Sequence, residues 1–414
     1  MAAFTRHLAP AGAPIGAADI ARWLPMALAP GGPVAALGEA LRTRLGARHY
    51  VLSSTGRAGM TLLFRALRRM APASRDEIVL PTYTCYSLAA SAAKAGLRIR
   101  LVDIDPDTLD YAPASLAAAD FSRVLAVVVT NLYGLPGDLP FLERLARDRG
   151  VFLVDDAAQA MGATVNGRPS GTWGDAGLFS FDKGKNVCAI DGGVVTTASD
   201  AVADELARET ATIGRPSAAA SAIHVARALA YAALLRPSLY GLVTRVPQLE
   251  LGKTVFTTAF PLDGPDPALA ALAAVMLPRL DAFTRARRAN AAALLDGLAA
   301  LSTVRAVRTI PGAAAVYLRL PVLCATESIK QRAITALNDA GIGATGSYPA
   351  SLADVPEVQS LMVPGPVTAE GGRHVARSIV TLPTHPFITR ADVTHTLEVL
   401  AAVAGSPHRL GEDH

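Results

Sequence analysis

Residues 124–129 read Val-Leu-Ala-Val-Val-Val with no polar break. A short apolar run bounded by turn residues predicts a strand covered on both faces. Similar runs predict strands at 50–52, 77–80, 98–102, 151–155, 177–181 and 194–197. Between them, helical periodicity predicts helices at 60–70, 86–95 and 140–149, with Leu62, Leu63, Ala66 and Leu67 on one face of the first. Strands alternating with helices predict an α/β fold with a mainly parallel sheet between helices, whose ligands sit beyond the C-terminal strand ends.

The flanks read differently. Residues 1–33 are rich in Ala, Pro and Gly and predict an arm carrying one short helix near 18–28, followed by a helix at 34–45. Residues 199–251 are helical and loop-rich. Helices follow at 269–277 and 280–301, the second with Arg285, Arg287 and Arg288 on its solvent side. After Pro311 the pattern becomes α+β, with strands at 315–320 and 379–382 and helices at 329–340 and 391–403. The expected division is an arm at 1–33, a large domain at 34–303 that includes a helical segment at 199–301, and a smaller C-terminal α+β domain at 304–414. Residues 218–246 are the most apolar. His224, Arg227, Arg236 and Arg245 interrupt them, Pro237 breaks them, and the longest clean run, 228–235, is too short to span a bilayer. A pair of buried or dimer-facing helices is expected there, with a membrane-surface helix as the alternative.

Composition narrows the class. A chain of 414 residues with net charge +4 and scattered basic positions gives no support for nucleic-acid binding. Cys85, Cys188 and Cys324 form no CxxC, which suits a reducing, cytoplasmic setting and argues against zinc. Residues 1–7 lack a long apolar core, so no secretory signal is expected.

The candidate chemistry lies in the loop Ser180-Phe181-Asp182-Lys183-Gly184-Lys185-Asn186-Val187, closed by Gly192-Gly193. A lysine in a partly desolvated pocket loses its proton readily and can attack a carbonyl. Lys185 is expected to do so with pyridoxal 5'-phosphate (PLP), forming a Schiff base. Asp156, at a strand end, would keep the pyridine nitrogen protonated. Gln159, one helical turn on, reaches the same ring. Ser180 and the backbone N–H groups of Arg57 and Ala58, at a helix start, would cradle the phosphate. Taken singly, each has a simpler reading. Ser54 or Thr55 caps the helix, Asp156 is an N-cap, Gln159 a surface or capping residue, Ser180 a buried hydroxyl and the lysine merely solvated. Together they meet the separate needs of one cofactor.

Several blocks resemble the DegT-type sugar aminotransferases, PLP enzymes of the aspartate-aminotransferase fold (fold type I). They are Thr55-Gly56-Arg57-Ala58, Pro81-Thr82-Tyr83-Thr84-Cys85, Val102-Asp103-Ile104-Asp105, Asp155 to Ala163, Phe179-Ser180-Phe181 with Lys185-Asn186, and Leu382-Pro383-Thr384-His385-Pro386. The resemblance implies Lys185 as catalytic lysine, five residues after the phosphate serine Ser180, with Lys183 a neighbour. It implies Asp156 at the pyridine nitrogen, Gln159 near the ring hydroxyl and Gly56, Arg57 and Ala58 in the phosphate turn. The slot of the ring-stacking aromatic holds Cys85, with Tyr83 and Tyr86 close by. Departures fall on the substrate side. Arg57 replaces a hydroxyl residue, Asn131 a histidine and Ser347 the histidine of a His-Tyr-Pro element, and residues 251–256 stand where an Asn-containing segment crosses the dimer. A lysine at 185 argues against the dehydrating branch, which has histidine there.

The implied activity moves an amino group from an amino acid, glutamate, to the keto group of a nucleotide-linked sugar. The implied partners are these small molecules and a second copy of the chain, with the arm and 218–246 as the dimer surface. Two alternatives stand beside it: another PLP-dependent biosynthetic reaction (cyclisation, elimination or C–C bond chemistry) on a non-sugar substrate, and a non-catalytic sensor of PLP or a nucleotide sugar.

Overall fold

In the computed structural model, residues 6–29, 32–244 and 255–405 are described. A seven-stranded sheet is built from β1 (His49–Ser53), β2 (Glu77–Pro81), β3 (Arg98–Val102), β4 (Val124–Thr130), β5 (Phe152–Asp156), β6 (Ala176–Ser180) and β7 (Gly193–Thr197). Its order is β1-β7-β6-β5-β4-β2-β3. Every neighbouring pair from β6 to β3 is parallel, and β7 runs antiparallel to both β6 and β1. All seven residues of β4 are buried, as a sheet covered on both faces requires.

The principal helices are α1 (Ala17–Leu28), α2 (Gly32–Leu45), α3 (Gly56–Met70), α4 (Tyr86–Lys94), α5 (Leu139–Arg149), α6 (Asp200–Thr210), α7 (Ala218–Leu234), α8 (Pro237–Val243), α9 (Pro267–Met276), α10 (Leu280–Leu298), α11 (Glu327–Asp339) and α12 (Arg390–Gly405). A second sheet, antiparallel, has the order β8 (Val304–Ala306), β9 (Arg319–Cys324), β10 (Ile379–Pro383). Among the described residues one helical stretch, Pro267–Leu298, is long and apolar enough to cross a membrane, and 61% of its most apolar window is buried inside the chain.

Register brings one set of chain ends together. Ser53 and Ser180 both pair with Gly193, and Asp156 pairs with Thr130. The glycine pair is required there. A Cβ on Gly193 would lie 2.4 Å from the Thr55 carbonyl oxygen, and Gly192 has φ +130°.

Two expectations are revised. The strand predicted at 315–320 runs instead over Arg319–Cys324, because Val316 N–H donates to the Gly134 carbonyl at 2.9 Å and leaves the ladder. β9 accommodates Pro321 because β8 pairs only with Val322, Leu323 and Cys324, so the missing N–H costs no bond to β8. Arg287 is fully buried, not on the solvent side, while Arg285 and Arg288 are exposed. In α7 and α8 the side carrying Ala228, Ala232 and Leu235 is buried, but Ile223, Leu229 and Leu242 stay exposed within one chain. Residues 251–254 of the expected dimer-crossing segment lie outside the described residues.

Candidate active site

The loop after β6 separates the two lysines. Lys183 is exposed and pairs with Asp182 at 3.5 Å. Lys185 is half-buried, and its N–H donates to the Asp182 carbonyl at 3.1 Å. Phe181 N–H donates to Gly192 and Ala189 N–H to Phe181, so the loop is pinned at its base. Arg287, on α10, pins it from behind. Its guanidinium donates to the carbonyls of Asn186 at 3.1 Å, Lys185 at 3.5 Å and Gly12 at 2.9 Å. Burial lowers the Arg287 pKa to about 10, and it forms no ion pair with a carboxylate among the described residues.

Asp156 sits half-buried at the end of β5 and accepts from Ala158 N–H at 3.0 Å. Burial raises its pKa, and the Ala158 N–H and the nearby Lys185 charge oppose that rise. Asp155 has a different task. It is fully buried, its pKa is pushed up to about 7 by burial, and it accepts from Asn131 Nδ2 at 2.8 Å and from the N–H groups of Gly171 and Trp173. Asn131 also donates to the Asp156 carbonyl at 2.8 Å, so the residue in the histidine's place ties β4 to β5. Gln159 accepts from Tyr133 N–H at 3.0 Å and donates to Tyr348 Oη at 3.0 Å.

At the start of α3, Thr55 is the N-cap, and its Oγ1 takes the Ala58 N–H at 2.9 Å. The simpler capping reading therefore holds for Ala58. A Cβ on Gly56 would lie 3.2 Å from Ser180 Cβ and 3.3 Å from Ser180 Oγ, so the helix start and the buried serine converge. The Arg57 guanidinium lies over the Phe260 ring, 5.1 Å from its centroid. Cys85 is half-buried at the N-cap of α4. Tyr83 and Tyr86 both pack against Tyr348, with ring centroids 5.5 and 6.1 Å away. Their hydroxyls meet the backbone of Tyr348 and Ala350.

Lys185 and Gln159 line one cleft of about 1070 Å³. Its other walls come from elements that sequence patterning could not bring together: the arm (Leu8, Ala11), α7 and α8 (Arg227, Tyr240), and the second-sheet region (Arg319, Ser347). The arm is held in place by Leu8 N–H to Gly341 and by the Ala9 carbonyl to His385 Nε2 at 2.9 Å. Its apolar residues Leu8, Ala9, Ala11, Ala13 and Ile15 are thus buried against their own chain.

His385 gives a pH test. It is fully buried, and burial lowers its pKa to about 4 from 6.5. Between those values the unfolded chain binds the extra proton, so this residue's contribution is full above about pH 6.5 and is lost as pH falls toward 4. The loss is about 3 kcal/mol. Urea midpoints from pH 7 to 4.5 are expected to fall more steeply for the wild type than for His385→Gln. Parallel slopes would show that His385 titrates normally.

A parallel sheet with one reversed strand, a lysine loop at its C-terminal edge and a second α+β layer is the architecture of fold type I PLP-dependent transferases. The sequence profile of the DegT/DnrJ/EryC1/StrS aminotransferase family matches residues 25–230 and 266–401, and the chain belongs to that family. A UDP-N-acetyl-3-dehydro-alpha-D-glucosamine 3-aminotransferase from Acidithiobacillus ferrooxidans is 37% identical over 163 residues, 39% of this chain and 44% of that protein. The chain matches only 33–44% of the length of such curated relatives. The crystal structure of the aminotransferase TlmJ from Streptoalloteichus hindustanus has a TM-score of 0.77 at 25% identity, covering 96% of this chain and 98% of that one. The E. coli GDP-4-keto-6-deoxy-D-mannose-3-dehydratase with bound hydrated PLP shares the fold, with a TM-score of 0.76 at 18% identity, covering 96% and 100%. The family profile leaves 231–265 unmatched, and the cleft residues Tyr231, Leu234, Leu235, Tyr240, Val243 and Thr244 fall there.

Proposed function

We propose that this chain is a PLP-dependent aminotransferase that moves an amino group from an amino acid, glutamate by family analogy, to the keto group of a nucleotide-linked sugar. One observation carries the reading: the Lys185 loop leaves β6 beside the end of β5 that holds half-buried Asp156, and Lys185 shares a cleft with Gln159. The donor set fits the cofactor. An amine, a carboxylate, the amide of Gln159 and a cradle at Gly56 and Ser180 that a Cβ would crowd answer its aldehyde, pyridine nitrogen, ring edge and phosphate.

When bound, PLP supplies an aldehyde carbon that accepts the amino group and a ring that withdraws electrons from the reacting carbon. Lys185 would hold the aldehyde carbon. Released, its Nζ moves a proton at the substrate's α-carbon as base and then as acid. Asp156 would hold the proton on the ring nitrogen. Ser180 and the first-turn N–H groups of Gly56 and Arg57 would bind the phosphate, since Ala58 N–H is taken by Thr55. Cys85 would stand at the ring face. The same reading divides the chain into an arm, a large cofactor domain and a small domain from 304.

Borohydride reduction of the holoprotein followed by peptide mass spectrometry is expected to find the reduced adduct on Lys185. An unmodified Lys185 would overturn the assignment. The unmatched cleft wall at 231–244 favours keeping a second reading, another PLP reaction on a non-sugar substrate. Release of 2-oxoglutarate from glutamate in the presence of nucleotide keto sugars separates the two. The exposed Ile223, Leu229 and Leu242 support a homodimer, which gel filtration tests.

A further inference from the structure

Arg319, on β9, lines the same cleft, and the roles assigned so far do not use it. Its Nε is shielded from solvent and has no hydrogen-bond partner. Its Nη1 donates to Thr345 Oγ1 at 3.3 Å, and no carboxylate pairs with it among the described residues. Three other arginines of the fold are neutralised or stacked. Arg279 meets Asp19, Arg100 meets Glu77, and Arg57 lies on Phe260. The groups around Arg319 are hydroxyls: Thr345, Ser347 and the phenols of Tyr133, Tyr240 and Tyr348. Burial raises all three phenol pKa values, and the Arg319 charge opposes each rise, which places the guanidinium within electrostatic reach of all three. Tyr348 Oη is bonded to Gln159, and Gln159 shares the cleft wall with Lys185. A partly desolvated guanidinium without a counter-ion is an expensive arrangement until an anion reaches it.

We propose that Arg319 receives the α-carboxylate of the amino donor and of the keto acid it becomes. The assignment rests on the aminotransferase reading above. The α-carboxylate is the one anion every amino-acid donor carries, one bond from the reacting carbon. The planar arginine fork matches it with two parallel N–H···O bonds, which lysine cannot reproduce. A nucleotide-linked acceptor presents ring hydroxyls to the same space in the second half of the cycle, so the charge matters less there.

The test uses the holoprotein and two variants, Arg319→Gln and Arg319→Lys. In the donor half-reaction, followed by cofactor absorbance, half-saturating L-glutamate is expected to rise about 100-fold in R319Q and about 10-fold in R319K. Calorimetric titration with 2-oxoglutarate, which needs no turnover, is expected to show the same loss. Titration with UDP, carrying the acceptor's anion, is expected to change less than about threefold. Unchanged 2-oxoglutarate binding in R319Q overturns the proposal, as does a loss confined to UDP. If the wild type accepts an amino group from no amino acid, the aminotransferase reading falls and takes the proposal with it. Intact transfer with unchanged half-saturation in R319Q removes the proposal alone.

Discussion

Lys185→Ala is expected to lower amino-group transfer about 10⁴-fold, the upper end of what one positioned acid–base group supplies. The fold is expected to survive, because the loop is held by backbone bonds at Phe181, Ala189 and Gly192 and not by the lysine side chain. The neighbouring Lys183 is not expected to replace it. That side chain is exposed and paired with Asp182, whereas Lys185 is half-buried and lines the cleft. Lys183→Ala is therefore expected to stay within about threefold of wild type. Keto-acid release in a coupled assay, with melting temperatures alongside, checks both. A reversed pattern, with K183A dead and K185A active, would move the site two residues back along the loop.

The second large effect is expected at Asp156. Asp156→Asn keeps the shape and removes the ionisable oxygen, and the transfer rate is expected to fall about 10²–10³-fold. The pH profile gives the sharper signature. Burial raises the Asp156 pKa, so protonation begins at a higher pH than for a free aspartate. Wild-type rates are expected to drop as pH falls through that value, and D156N is expected to lack this acidic limb. The Asp155→Asn variant serves as contrast. It loses acceptor capacity for three donors that shape the strand end, so reduced thermal stability is expected to dominate. A D156N enzyme with the full rate and an unchanged acidic limb would separate this carboxylate from the chemistry.

Much of the large sheet was legible because its strands satisfy a local rule. The unbroken apolar run at 124–129 has few alternatives in a chain this long, and β4 is buried along its whole length. The lysine loop was legible because Gly192-Gly193 and Ser180 mark a close approach of three strand ends. The reading failed where a residue's setting came from distant chain. Arg287 was assigned to solvent by its charge. Its position in the series 280, 283, 284, 287, 291, 294 and 298, all buried on α10, carried the opposite signal. Asp103, in one of the blocks that carry the resemblance, accepts from Thr82 Oγ1 and from Gly371 and Gly372 N–H, the last two contacts across 268 and 269 positions that no local pattern announces. Arg319 and Tyr240 could not be joined to Lys185 from sequence, since 134 and 55 positions separate them from it and no local periodicity links them.

The clamp behind the lysine loop also has a temporal side. Gly12 and Ala9 leave the ribosome well before Arg287 and His385, which hold their carbonyls. A nascent polypeptide thus possesses every strand of the large sheet long before the reactive amine is braced. Bracing of the loop waits until residue 287 has been made, and a product cut short before it would carry Lys185 without the guanidinium that holds its loop.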